Sequence, residues 1–166
     1  MQGAQRLDAE GVQAVLHLVA VLEQWQCGPR DALACEEALV QACGLLVERH
    51  TTQPPPAPAA VPLQRARRRL EEELVDPPSL AELAAEAGVS RFQLLRRFAQ
   101  VHGCTPHAWL TQQRNEQARS LIRAGVGLAD AAAACGCADQ AHLTRLFTRQ
   151  FGFTPGAWQR AHGALQ

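Results

Sequence analysis

The stretch SRFQLLRRFAQVHGCTPHAW, residues 90–109, returns forty-nine residues later as DQAHLTRLFTRQFGFTPGAW, residues 139–158. Eight of the twenty positions are identical: Leu94/Leu143, Arg96/Arg145, Phe98/Phe147, Gly103/Gly152, Thr105/Thr154, Pro106/Pro155, Ala108/Ala157 and Trp109/Trp158. Ser90 and Asp139 match in kind, since both side chains cap helix N-termini. Upstream, Leu80 and Gly88 parallel Leu128 and Gly136 at an offset of 48, so the second turn is one residue longer. The shared residues follow one physical logic. Leu94 and Phe98, like Leu143 and Phe147, lie one helical turn apart and face the same way. Gly103 and Gly152 fit helix ends that need positive φ. Thr-Pro at 105–106 and 154–155 reads as an N-cap followed by proline at the first helical position.

Working outward, Ser79 to Glu82 forms a capping box that opens a short helix to Ala87. Gly88 supplies a tight turn, and Ser90 to Gln93 forms a second capping box that opens a helix to about Val101. Helix, short glycine turn, helix is the helix-turn-helix pattern. Between the two copies, Pro106–Ala124 reads as one helix, with Gly125 at its end. At ~1.5 Å per residue it spans ~28 Å. Two recognition helices on one face of B-DNA sit ~34 Å apart, a spacing that a rigid helix of this size can set. Leu63–Leu74 is a further helix, stopped by Asp76-Pro77-Pro78. Residues 52–62 (TQPPPAPAAVP) read as an extended polyproline-like linker of ~30 Å at ~3.1 Å per residue. Before it, residues 9–25 show apolar side chains at helical spacing, Gly28-Pro29 breaks the run, and Asp31 caps a second helix to about Arg49. The sequence therefore predicts an all-α fold: two helix-turn-helix subdomains joined by a long linker helix, preceded by an N-terminal αα-hairpin. The divisions expected are 1–52 for the hairpin, 53–62 for the linker and 63–166 for the double helix-turn-helix domain.

The net charge is zero, but its distribution is uneven. Residues 1–60 carry three Arg against seven acids, and residues 61–166 carry thirteen Arg against nine. From Gly88 onward the balance is nine Arg against three acids. An acidic front and a basic back suit a protein whose second part meets a polyanion. Lysine is absent, and arginine forks bidentately onto phosphate or guanine. No run of apolar residues is long enough to span a bilayer and no basic start precedes an apolar stretch, so a cytoplasmic location without membrane contact is expected. The six cysteines (Cys27, Cys35, Cys43, Cys104, Cys135 and Cys137) include no C-x-x-C pair. They read as small apolar core residues, with no metal or cofactor expected.

Residues 62–162 resemble the DNA-binding region of the AraC/XylS family of bacterial transcription regulators. The segments that carry the resemblance are LAELAAEAGVSRFQLLRRFAQVHGCTP, LADAAAACGCADQAHLTRLFTRQFGFTPGAW and, within the second, the ending Phe147-Thr-Arg-Gln-Phe-Gly-Phe-Thr-Pro-Gly-Ala-Trp158. The chain departs from the family pattern at Ala131, where a bulky aliphatic is usual, and at Cys137, where Phe is usual. Both departures lower apolar volume in the second unit, at a cost of ~1–3 kcal/mol if the space is not refilled. The first fifty residues resemble the helical hairpin that follows the effector-binding barrel of full-length members. No strand-rich segment precedes it, so the chain is expected to be either a fragment or a short variant without its own sensor.

The resemblance and the helix-turn-helix pattern together imply double-stranded DNA as partner, with RNA polymerase as a further one. The helices 90–101 and 139–150 would each enter a major groove, where the outward N-terminal residues meet base edges. In the first helix these are Arg91, Phe92, Gln93, Leu95 and Arg96. In the second they are Gln140, Ala141, His142, Thr144 and Arg145. Arg96 and Arg145 suit guanine, Gln93 or Gln140 suits adenine, and Phe92, Leu95 and Ala141 suit thymine methyls. Arg97, Arg114 and Arg149 are expected on phosphates.

Three other readings stand beside this one. The hairpin offers an unpaired face, suited to a homodimer through residues 9–50 or to heterodimerisation with a full-length regulator. Similar double helix-turn-helix modules accompany alkyl-transfer DNA repair domains, but Cys27, Cys35 and Cys43 lack a thiolate-activating or zinc-like context. There is no Ser/His/Asp constellation or phosphate loop, so no enzyme is expected. Cys135 and Cys137 leave a redox or metal sensor as the last alternative.

Overall fold

Helix ends are where this sequence is most explicit, and the computed structural model closes nearly all of them as expected. It describes residues 32–48 and 60–163, which hold eight helices and no strand. They are α1 (Ala32–Glu48), α2 (Ala60–Glu72), α3 (Leu80–Glu86), α4 (Arg91–His102), α5 (Pro106–Arg123), α6 (Leu128–Ala134), α7 (Gln140–Phe151) and α8 (Pro155–Gly163). The first hairpin helix expected at 9–25, the Gly28-Pro29 break, Asp31 and residues 53–59 of the linker lie outside the described residues.

Both capping boxes form. Ser79 Oγ accepts from Glu82 N while Ser79 N donates to the Glu82 carboxylate, and Ser90 and Gln93 do the same. Asp139 accepts from His142 N at 2.6 Å. Thr105 and Thr154 cap α5 and α8 by accepting from Ala108 N and Ala157 N. The two helix-turn-helix turns close identically. Gly88 and Gly136 take φ of +64° and +69°, and the next residue donates back to the helix, Val89 N to Ala84 O and Cys137 N to Ala132 O.

Two elements differ from expectation. α2 opens at Ala60, three residues inside the segment expected to be extended. Pro62 falls in its first turn, where a missing N–H costs no helical bond. α2 also ends at Glu72 rather than Leu74, and the Leu74 carbonyl beyond it accepts from Arg114 Nε at 2.9 Å.

Two cores result. The first gathers Leu63, Ala66 and Leu70 of α2, Leu80 and Leu83 of α3, Leu94, Leu95 and Phe98 of α4, and Leu110 of α5. Leu33 of α1 joins them, so the described part of the N-terminal segment packs on the first unit. The second core gathers Ala118 and Ile122 of α5 with Ala131, Ala132, Cys135, Cys137, Leu143 and Phe147. Helix α5 serves both through one stripe at four-residue spacing: Pro106, Leu110, Arg114, Ala118 and Ile122 are all buried. Around the small Ala131 and Cys137, the second unit carries an aromatic row. Phe147 meets Phe151 and Phe153, and Phe153 stacks on Trp158. The first unit has His102 and Cys104 at the positions of Phe151 and Phe153.

Candidate nucleic-acid interface

Helices α4 and α7 are each anchored by a fully buried Leu–Phe pair, Leu94/Phe98 and Leu143/Phe147. That anchoring fixes which faces remain for a partner. Arg96 and Arg145 occupy the same helical position two residues beyond the first anchor, and both are exposed. Arg91, Gln140, Ala141 and Arg149 are also exposed, while Arg97 and Thr144 are half-buried. Thr144 Oγ1 donates to the Gln140 carbonyl at 2.8 Å. Gln100 is exposed at the position equivalent to Arg149; the repeat alignment contained this signal, although Gln100 was not among the residues expected at the interface.

Four expected contacts need correction. Arg114 was expected on phosphate, but it sits in the buried stripe of α5 at 2% exposure with Nε on Leu74 O, so its guanidinium braces the protein. Leu95 was expected at a thymine methyl but is 2% exposed and belongs to the first core. His142 is buried, and its Nδ1 accepts from Ala138 N at 3.3 Å, so the ring closes the longer second turn. Gln93 cannot address adenine bidentately while its Oε1 accepts from Ser90 N. Phe92 is half-buried. Its ring lies on the Gly44 backbone of α1, so close that a Cβ on Gly44 would fall 2.0 Å from Phe92 Cδ2. The Arg96 guanidinium lies 5.9 Å from the centroid of that ring.

The junction between the two units is polar and tight. Asn115 is fully buried and donates from Nδ2 to Leu146 O at 3.2 Å and to Gln150 Oε1 at 2.7 Å, both on α7. A Cβ on Gly136 would lie 2.7 Å from Leu74 O and 3.0 Å from Arg114 Nη2. The segment after α2, the middle of α5 and the second turn therefore meet at one point. The nearby Cys135 thiol is buried, and burial pushes its pKa up to about 12, so it is overwhelmingly protonated at neutral pH.

With this geometry in view, comparison with known proteins decides the lineage. A helix-turn-helix domain model matches residues 83–161. The DNA-binding domain of AdpA, solved in complex with a target DNA, is 32% identical, with 63% of this chain covering 96% of that one at a TM-score of 0.58. The chain belongs to the AraC/XylS family. An AraC-type regulator from Chromobacterium violaceum superposes with a TM-score of 0.57 at 27% identity, over 61% of this chain and 92% of that one. The transcriptional activator RhaS of Escherichia coli is 31% identical over 153 residues, 90% of this chain. This AraC/XylS chain spans about half of that relative, 55% of its length. Among the described residues no helix is long and apolar enough to cross a membrane.

Proposed function

We propose that the chain is a sequence-specific DNA-binding transcription regulator that inserts α4 and α7 into successive major grooves of double-stranded DNA. The observation that carries this reading is the paired placement of Arg96 and Arg145. Each stands exposed at the same position of a repeated helix, and each helix is fixed from below by a buried Leu–Phe pair. Two equivalent arginines on equally braced helices suit two guanines in two half-sites. Arg91, Gln140, Ala141 and Thr144 complete the base-facing set, while Arg97 and Arg149 contact phosphate. The excess of nine Arg over three acids from Gly88 onward supplies the sequence-independent attraction. That the AdpA domain was crystallised on a target DNA supports the same assignment. Such a regulator works in the cytoplasm and acts through RNA polymerase.

Selection of bound sites from random DNA at fixed salt tests the proposal. Two half-motifs about one helical turn apart should emerge, with affinity falling steeply as salt rises. Enrichment of no motif would overturn it.

A further inference from the structure

We propose that α1 is an autoinhibitory clamp that covers the base-facing flank of the first recognition helix, so that only α7 is free to read DNA until α1 moves. The inference rests on the reading of α4 and α7 as recognition helices. The internal repeat provides its control. In α7, Ala141 is exposed and Thr144 half-buried. The equivalent residues of α4 are Phe92, whose ring lies against Gly44 of α1, and Leu95, which is 2% exposed and shares a core with Leu33 of α1. The same flank is thus open in one unit and roofed in the other, and the roofed copy carries the larger apolar side chains.

Geometry makes the cover incompatible with groove entry. The major groove is ~12 Å wide, and one helix with its side chains is ~10–12 Å across. Helix α4 fits such a groove alone; α4 with α1 packed on its flank does not. The clamp is held at its N-terminal end by two adjacent carboxylates. Glu36 accepts from Leu80 N at 2.9 Å, and Glu37 accepts from His107 N at 2.5 Å. These N–H groups belong to the first turns of α3 and α5, which have no partner within their own helices. Both latches lie on the first unit, so release of α1 leaves the second unit undisturbed. Apart from these carboxylates, α1 is held by an apolar face on which Leu33, Ala34 and Ala42 are buried and Val40 packs on the first core, while Leu39 remains 46% exposed.

A clamp lowers apparent affinity by the fraction of molecules in which it is open. The test is quantitative binding and hydroxyl-radical footprinting of the full chain on its selected site, with Gly44→Leu to force α1 off Phe92 and Glu36→Ala/Glu37→Ala to remove the latches. In the wild type, the half-site read by α7 should be protected more strongly than the half-site read by α4, and Arg96→Ala should cost no more than about threefold. In the Gly44→Leu background both half-sites should be protected, affinity should rise about tenfold, and Arg96→Ala should now cost about tenfold. The double alanine variant should shift in the same direction without a new bulky side chain. Equal protection of both half-sites in the wild type, with Arg96→Ala equally costly in both backgrounds, would overturn the clamp and leave the DNA-reading assignment intact. If Arg145→Ala is silent in every background, the DNA-reading assignment itself fails and the clamp with it.

Discussion

At the scale of single residues, this molecule uses arginine in two opposite ways. Arg145 is exposed on a helix whose other face is locked, so its removal should leave the fold almost untouched, within ~0.5 kcal/mol. Its loss from a guanine contact should cost ~1–3 kcal/mol of binding and relax sequence choice at one position. Parallel urea titration and site selection on Arg145→Ala check both halves of that expectation, and an unchanged binding profile would remove the residue from the interface. Arg114 is the converse. It is 2% exposed and donates to a backbone carbonyl that has left its helix. Arg114→Met keeps much of the volume but deletes a hydrogen bond from a charged donor, so it should cost ~1.5–3 kcal/mol of stability. A urea midpoint equal to that of the wild type would show that the bond is not structural. The repeat singles out Arg145, which matches Arg96, but nothing in the sequence marks Arg114 as buried. Each lies on an amphipathic helix, and only the four-residue stripe of α5, read against both cores at once, shows that Arg114 points inward.

At the scale of elements, local signals carried the boundaries and long-range contacts carried the surprises. Capping residues, the glycine turns, the Thr-Pro starts and the one-residue difference between the two turns all act within four or five residues of one another, and each is visible in the structure. The burial of Leu95 was not legible because it belongs to a core that also takes in Leu33 of α1, and α1 reaches the first unit through hydrogen bonds spanning 44 and 70 residues. Two adjacent glutamates on a helix read as a solvated face until the backbone N–H groups of other helices are placed beside them. Glu37 is 5% exposed, and burial raises its pKa above the ordinary 4.5. Its bonds from Thr105 and the His107 backbone, together with the charge of His107, pull the other way without reversing this. A carboxyl whose folded pKa lies above its unfolded value takes up a proton on folding. Its contribution therefore weakens as pH rises from the ordinary value through the raised one, then levels off. The difference in urea midpoint between the wild type and Glu37→Gln should follow that course between pH 4 and 7, with the wild type relatively more stable at the acid end. A difference that is flat with pH, or that grows in the opposite sense, would show that Glu37 is not desolvated by docking of α1.

At the scale of the whole molecule, the spacing of α4 and α7 depends on how the two cores are held along α5, and the repeat again supplies its own control. Gly88 and Gly136 close equivalent turns with φ near +65°, where a side chain strains the backbone by ~1–2 kcal/mol. Around Gly88 nothing lies within 4 Å of an added Cβ. At Gly136 the Cβ would meet Leu74 O at 2.7 Å and Val75 Cα at 2.8 Å, both backbone atoms that cannot rotate away. Gly88→Ala should therefore show the backbone strain alone. Gly136→Ala should show the same strain and also push the segment after α2 away from the second turn. Its stability should fall further than that of Gly88→Ala, by at least ~1 kcal/mol, as overpacked sites do. Its preference for one half-site separation should also broaden, because the contact that fixes the second unit against the first has been opened. Site selection on DNA libraries with half-site separations varied one base pair at a time, run beside urea titrations of both variants, measures the two effects together. If the two alanine variants proved equally stable and equally selective for spacing, the junction at Gly136 would be a passive contact. The separation of the heads would then be set by the stiffness of α5 alone.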